Sequence, residues 1–125
     1  MKSLSLIVTL FLISATASFG QSIFGNWTAE YTNQEGQTSK IQITFKSDRT
    51  YTVDFGMDNQ IEVNGAFTYS ETQMTIWDTS GDYACPSEAK GVYSYQVTQD
   101  EMVMTKISDD CEDRGRGGKM VFKKS

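Results

Sequence analysis

Eight times along the chain, apolar and polar residues alternate, and turn-forming residues separate the runs. Alternation of this kind gives a strand one apolar face and one polar face. The first run is Trp27 to Tyr31, followed by a polar link from Thr32 to Ser39. The second, Lys40 to Lys46, sets Ile41, Ile43 and Phe45 on one face, and Ser47-Asp48-Arg49 turns the chain. The third, Thr50 to Phe55, aligns Tyr51, Val53 and Phe55. After Gly56-Met57-Asp58-Asn59, the fourth runs from Gln60 to Tyr69 with Ile61, Val63, Phe67 and Tyr69 together, and Gly65 inside it marks a bulge or bend. The fifth, Gln73 to Asp78, turns Met74 and Ile76 inward, and the sixth, Lys90 to Val97, aligns Tyr93, Tyr95 and Val97. The seventh, Met102 to Ile107, is ambiguous in facing, and the eighth, Lys119 to Lys123, turns Met120 and Phe122 inward.

Composition supports strands. All four leucines (Leu4, Leu6, Leu10 and Leu12) lie near the N-terminus, and the 105 residues from Gln21 onward hold twelve threonines, thirteen aromatics and twelve Val or Ile. That is a strand composition and argues against a helix bundle. The first twenty residues read as a signal peptide. Lys2 is its positive start, Leu4 to Ile13 its apolar stretch, too short to span a bilayer, and Ser14 to Gly20 its small-residue end. Cleavage after Gly20 is favoured, with Ala17 as the alternative. Residues 21–125 are then one domain, secreted or periplasmic. Without Lys2, ten basic residues face sixteen acidic ones, a charge of −6 that repels nucleic acid and anionic membranes. No membrane insertion is expected after signal cleavage. The chain has no histidine, which removes His-ligated zinc and haem and His-based nucleophilic catalysis. No nucleophile–base pair is evident, so an enzyme is not expected, and no cofactor is called for.

Cys85 and Cys111 are the two cysteines, and an even pair in an exported chain reads as a disulfide. A weak internal repeat resolves the ambiguous strand. Gly65-Ala66-Phe67-Thr68-Tyr69 leads to Met74-Thr75-Ile76, and Gly91-Val92-Tyr93-Ser94-Tyr95 leads likewise to Met102-Val103-Met104, so Met102 and Met104 should face in. Eight consecutive antiparallel strands form an up-and-down meander, which removes its exposed edges by closing into a barrel. An eight-stranded barrel has room for packed side chains or one small ligand. The links after odd-numbered strands share one end, here called upper. Both cysteines fall in such links, as their bond requires.

The Gly25-Asn26-Trp27 opening, the Gly65-Ala66-Phe67 and Gly91-Val92-Tyr93 strands and the late Asp110-Cys111-Glu112-Asp113-Arg114 segment give the chain a resemblance to the lipocalins, more closely to short bacterial lipocalin-like domains. It covers most of residues 24–124. It implies a closed barrel with an apolar interior and a small hydrophobic ligand. The late lipocalin arginine packs over the opening tryptophan at the lower end. Arg114 and Arg116 sit in an upper link, so neither takes that role, and Lys123 or Lys124 is the candidate to cover Trp27.

Inward residues near the upper rim, Tyr31, Phe55, Ile61, Ile76, Tyr93 and Met104, are the candidate ligand pocket; the competing reading is plain core packing. Trp27, Phe45, Tyr51, Tyr69 and Phe122 should form the core of the lower end. The rim is acidic, and Asp82, Asp109, Asp110 and Asp113 are the calcium candidates. No EF-hand spacing is present, so a solvated rim partly neutralised by Arg114 and Arg116 is preferred to a metal site. The Gly115-Arg116-Gly117-Gly118 run reads as a loop tip rather than an anion cradle.

Two functions remain in view. One is a binding or carrier module for a small hydrophobic ligand. The other is a protein-binding barrel, such as a periplasmic protease inhibitor. Secreted inhibitor barrels also open with a Gly-x-Trp strand after an arm that enters the protease cleft. Here the arm is Gln21-Ser22-Ile23-Phe24, and packing of Ile23 and Phe24 on Trp27 as a plug is the favoured reading of it.

Overall fold

The computed structural model describes residues 22–32, 35–115 and 117–125. The expected leader, Gln21 of the arm and Arg116 lie outside the described residues. Eight strands follow one another: β1 (Gly25–Thr32), β2 (Thr38–Phe45), β3 (Thr50–Phe55), β4 (Val63–Tyr69), β5 (Gln73–Ser80), β6 (Gly91–Val97), β7 (Glu101–Asp109) and β8 (Lys119–Lys124). Each pairs antiparallel with its sequence neighbour, and β8 returns to β1 to close the barrel.

Local chemistry sets the turns. Between β2 and β3 the Asp48 carboxylate accepts the Thr50 amide at 3.0 Å and the Thr50 hydroxyl at 2.5 Å. Arg49 there takes a left-handed φ of 73°, and its amide donates to the Lys46 carbonyl. Between β3 and β4, Asp54 accepts the amides of Asp58 and Asn59. That turn runs longer than the alternation suggests. Ile61 precedes β4 and is 47% exposed instead of facing inward.

Two bulges shape the sheet. One interrupts β4–β5 between Asn64 and Gly65, and the other interrupts β6–β7 between Val92 and Tyr93. The first is where Gly65 marks it in the sequence. Met102 and Met104 are fully buried, as the repeat implies.

The lower half is a packed core. Trp27, Phe45, Phe67, Met74, Met102 and Phe122 are all buried, with the Phe45 and Phe67 rings edge-to-face at 5.1 Å. Ile23 belongs to this core, and its carbonyl accepts the Trp27 indole N–H at 2.8 Å. Lys124 covers Trp27 with its ammonium 4.6 Å from the ring centroid, and donates to the Phe24 carbonyl. The register makes the choice between the two lysines, because Trp27 pairs with Lys124 and Thr28 with Lys123. Tyr69 differs from expectation. It is 38% exposed at the lower rim, where Phe24 packs edge-on against it and the Arg49 guanidinium lies over it.

Candidate functional site: an apolar cavity beneath a buried ion cluster

The upper half is not filled. A cavity of about 970 Å³ occupies it. Phe45, Tyr51, Met104 and Phe122 lie deep, Ile43, Val53, Val63 and Ile76 form walls, and Tyr31, Phe55 and Tyr83 are among the remaining lining residues. Of the six residues read as a pocket from sequence, Tyr31, Phe55, Ile76 and Met104 line this cavity. Ile61 and Tyr93 do not. Ile61 lies in the β3–β4 link, and Tyr93 is fully buried in the cluster described next.

The cavity also opens sideways. β1 pairs with β2 from Gly25↔Phe45 to Thr32↔Thr38, but with β8 only at Trp27↔Lys124 and Thr28↔Lys123. Continuing that register upward would set Ala29 opposite Phe122, Glu30 opposite Val121 and Tyr31 opposite Met120. Among the described residues no ladder pair joins them, and all six line the cavity. The seam between β1 and β8 is therefore zipped below and parted above.

The rim is organised by Arg114. Its Nε and Nη2 donate to the two oxygens of Asp109 at 2.9 and 2.8 Å, a bidentate fork. Nη2 also donates to the Ala89 carbonyl at 2.6 Å. Nη1 lies 3.2 Å from Asp78 Oδ1 as an ion-pair contact, and this buried atom makes no hydrogen bond among the described residues. Each aspartate also accepts a tyrosine hydroxyl, Tyr51 on Asp78 and Tyr93 on Asp109, both at 2.5 Å. Each accepts a cysteine amide as well, Cys85 on Asp78 and Cys111 on Asp109, both at 2.8 Å. The Cys85–Cys111 disulfide, with Cα atoms 6.2 Å apart, ties the same two links. One guanidinium thus binds two copies of a tyrosine–aspartate–cysteine-amide unit.

Glycines make both units possible. Gly65 sits opposite Asp78 and Gly91 opposite Asp109. A side chain at Gly65 would occupy the Tyr51 ring, and one at Gly91 would strike the Asp109 carboxylate. The bulge in β6–β7 inserts one residue into β7, so that Asp109 turns inward where simple alternation from Met104 would turn Ser108 inward and Asp109 outward.

Charge in the cluster is locked. Burial alone would raise the Asp109 carboxyl, but the Arg114 guanidinium, the Tyr93 hydroxyl and the Cys111 amide outweigh it and hold it below the ordinary range. Burial, reinforced by Asp78, pushes the Tyr51 hydroxyl far up, and burial with Asp109 does the same to Tyr93. Burial would lower Arg114, yet Asp109 and Asp78 raise it beyond any working pH.

The acidic rim divides accordingly. Both oxygens of Asp109 are engaged by Arg114, Tyr93 and the Cys111 amide, which leaves that residue turned to structure rather than to a cation. Asp82 and Asp110 are exposed, and Asp113 lines the cavity mouth. A different carboxylate group converges at the β3–β4 turn, Asp54, Asp58 and Glu62, with ligand atoms within 4.8 Å. Its oxygens accept the amides of Phe55, Asp58 and Asn59 and so hold the turn. Gly115, in the run read as a loop tip, has φ 67°, and a side chain there would strike the Tyr93 hydroxyl. Comparison with known proteins finds no protein family, no curated protein and no solved structure that matches this chain.

Proposed function

We propose that this protein is an exported, lipocalin-like binding or carrier module for a small apolar molecule. The observation that carries the reading is the cavity of about 970 Å³ in the upper half of the barrel, walled by Ile43, Val53, Val63, Ile76 and Met104. Cavities of this size enclose a ligand of a few tens of atoms and bind it through apolar walls with few polar groups. The disulfide fits an oxidising compartment. The protein-binding alternative needs an arm free to enter a cleft. Here Ile23 is 4% exposed within the core and Trp27 holds its carbonyl, which supports the plug.

The test is titration of the purified protein with the uncharged dye N-phenyl-1-naphthylamine, whose emission rises in apolar surroundings. Saturable binding of one dye per chain, lost on Val53→Trp within the cavity wall, is the expected result. Absence of saturable binding by a correctly folded protein would overturn the proposal.

A further inference from the structure

A lone arginine beside an apolar cavity ordinarily suggests a carboxylate ligand, with the guanidinium holding the acid head. The geometry points to the opposite here: we infer that the cavity accepts uncharged apolar molecules and rejects anions, fatty-acid carboxylates included. This rests on the binding-module reading and adds the ligand's charge class to it.

Arg114 has little charge left to offer a ligand. Asp109 takes its Nε and Nη2; Nη1 makes no hydrogen bond among the described residues but lies 3.2 Å from Asp78 Oδ1, so its charge is faced there, and both aspartates are buried. One buried positive charge therefore faces two buried negative ones. The nearby hydroxyls are also committed, since Tyr51 and Tyr93 each donate to one of those carboxylates. Among the described residues an anion entering this space finds no buried cation whose charge is uncompensated, and desolvating an anion without one is strongly unfavourable. The remaining charged lining residues do not reverse the balance. Glu30 is acidic, Lys119 is basic, both are exposed, and the chain as a whole carries −5. Below the cluster, the walls offer carbon to the ligand.

A matched pair of dyes reads this directly. N-phenyl-1-naphthylamine and 1-anilinonaphthalene-8-sulfonate share one ring system, and the second adds a sulfonate. The expected result is saturable binding of the uncharged dye and at least about tenfold weaker binding of the sulfonate. Exposed Glu30 lies on the parted edge of β1, so Glu30→Lys should narrow that ratio without disturbing the buried cluster. Equal or tighter binding of the sulfonate by the unaltered protein would overturn the inference while leaving the binding reading intact. Failure of both dyes would overturn the binding reading itself.

Discussion

Replacing Arg114 by Met keeps much of the side chain's volume and removes the one positive charge of the rim cluster. Asp78 and Asp109 have side-chain exposures of 4% and 0%, so neither can turn to water without moving its strand. Removing one partner of such a buried arrangement costs about 3–5 kcal/mol, because it leaves uncompensated charge in the interior. A small domain has a total stability of roughly 5–15 kcal/mol, so the loss would be a large fraction of the whole. For about 100 residues the midpoint of thermal unfolding should fall by roughly 15–30 °C. The pH dependence separates this cause from simple loss of packing. In the unaltered protein the Asp109 carboxyl is held low, so its contribution is present above the unfolded carboxylate range and lost as pH falls through the folded value. Without Arg114, burial dominates and the carboxyl rises instead, so protonation relieves the variant as pH falls from about 7 towards 4. Urea unfolding at several pH values, with the disulfide intact, should therefore show a deficit that is largest at neutrality and shrinks in acid. A deficit that is constant with pH, or below about 1 kcal/mol at pH 7, would refute the reasoning.

Cys85→Ser with Cys111→Ser should cost about 3–4 kcal/mol in urea unfolding, the chain-entropy value for a separation of 26 residues. Gly65→Ala should destabilise by roughly 1–3 kcal/mol, since the new methyl displaces the Tyr51 ring and with it the hydroxyl on Asp78. Spectrophotometric titration of the six tyrosines should show Tyr51 and Tyr93 ionising well after the exposed ones, with Tyr95 also raised by burial. Their folded values lie above the unfolded one, so the stability they contribute is full below about pH 10 and lost as pH climbs beyond it. Glu30→Cys with Val121→Cys, oxidised to a bond across the parted seam, should slow uptake of N-phenyl-1-naphthylamine in stopped-flow mixing; unchanged kinetics would exclude the seam as the way in.

The barrel was legible because alternation is a local property, and β3 keeps the bounds the pattern gives it. Polarity followed from counting links, which placed both cysteines at one rim. The ion cluster was harder. Asp78 was within reach, since it continues the inward series Met74, Ile76, Asp78, but an acidic residue near a strand end reads as rim. Asp109 was not, because its inward turn depends on a bulge that shifts the phase of β7 after Lys106. The late segment resembling lipocalin-like domains contained Arg114 and the neighbouring Asp110. Which aspartate meets the arginine is decided by that same bulge. Ile61 failed for a related reason: Asp54 closes its turn through side-chain bonds that lengthen the link and delay the start of β4.

The two ends of the barrel solve different problems with different chemistry. Below, the fully buried Trp27, Phe67, Met74, Met102 and Phe122 supply the burial that holds the fold together. Above, Val53, Val63, Ile76 and Met104 belong to the same buried cluster, but Ile43, Phe55 and Met120 are only partly buried. The links at the cavity's rim are fixed in two ways. The disulfide fixes two of them covalently, and Arg114 fixes the inward aspartates that begin them. A buried ion cluster adds little net stability over a well-packed apolar one, so its advantage here is directional: it holds two carboxylates and two tyrosines at set positions and keeps them from filling the space. An apolar occupant would then add burial to the partly exposed Ile43, Phe55 and Met120. It would stabilise the folded state by about 2.7 kcal/mol when present at 100 times its Kd, comparable to what the disulfide contributes.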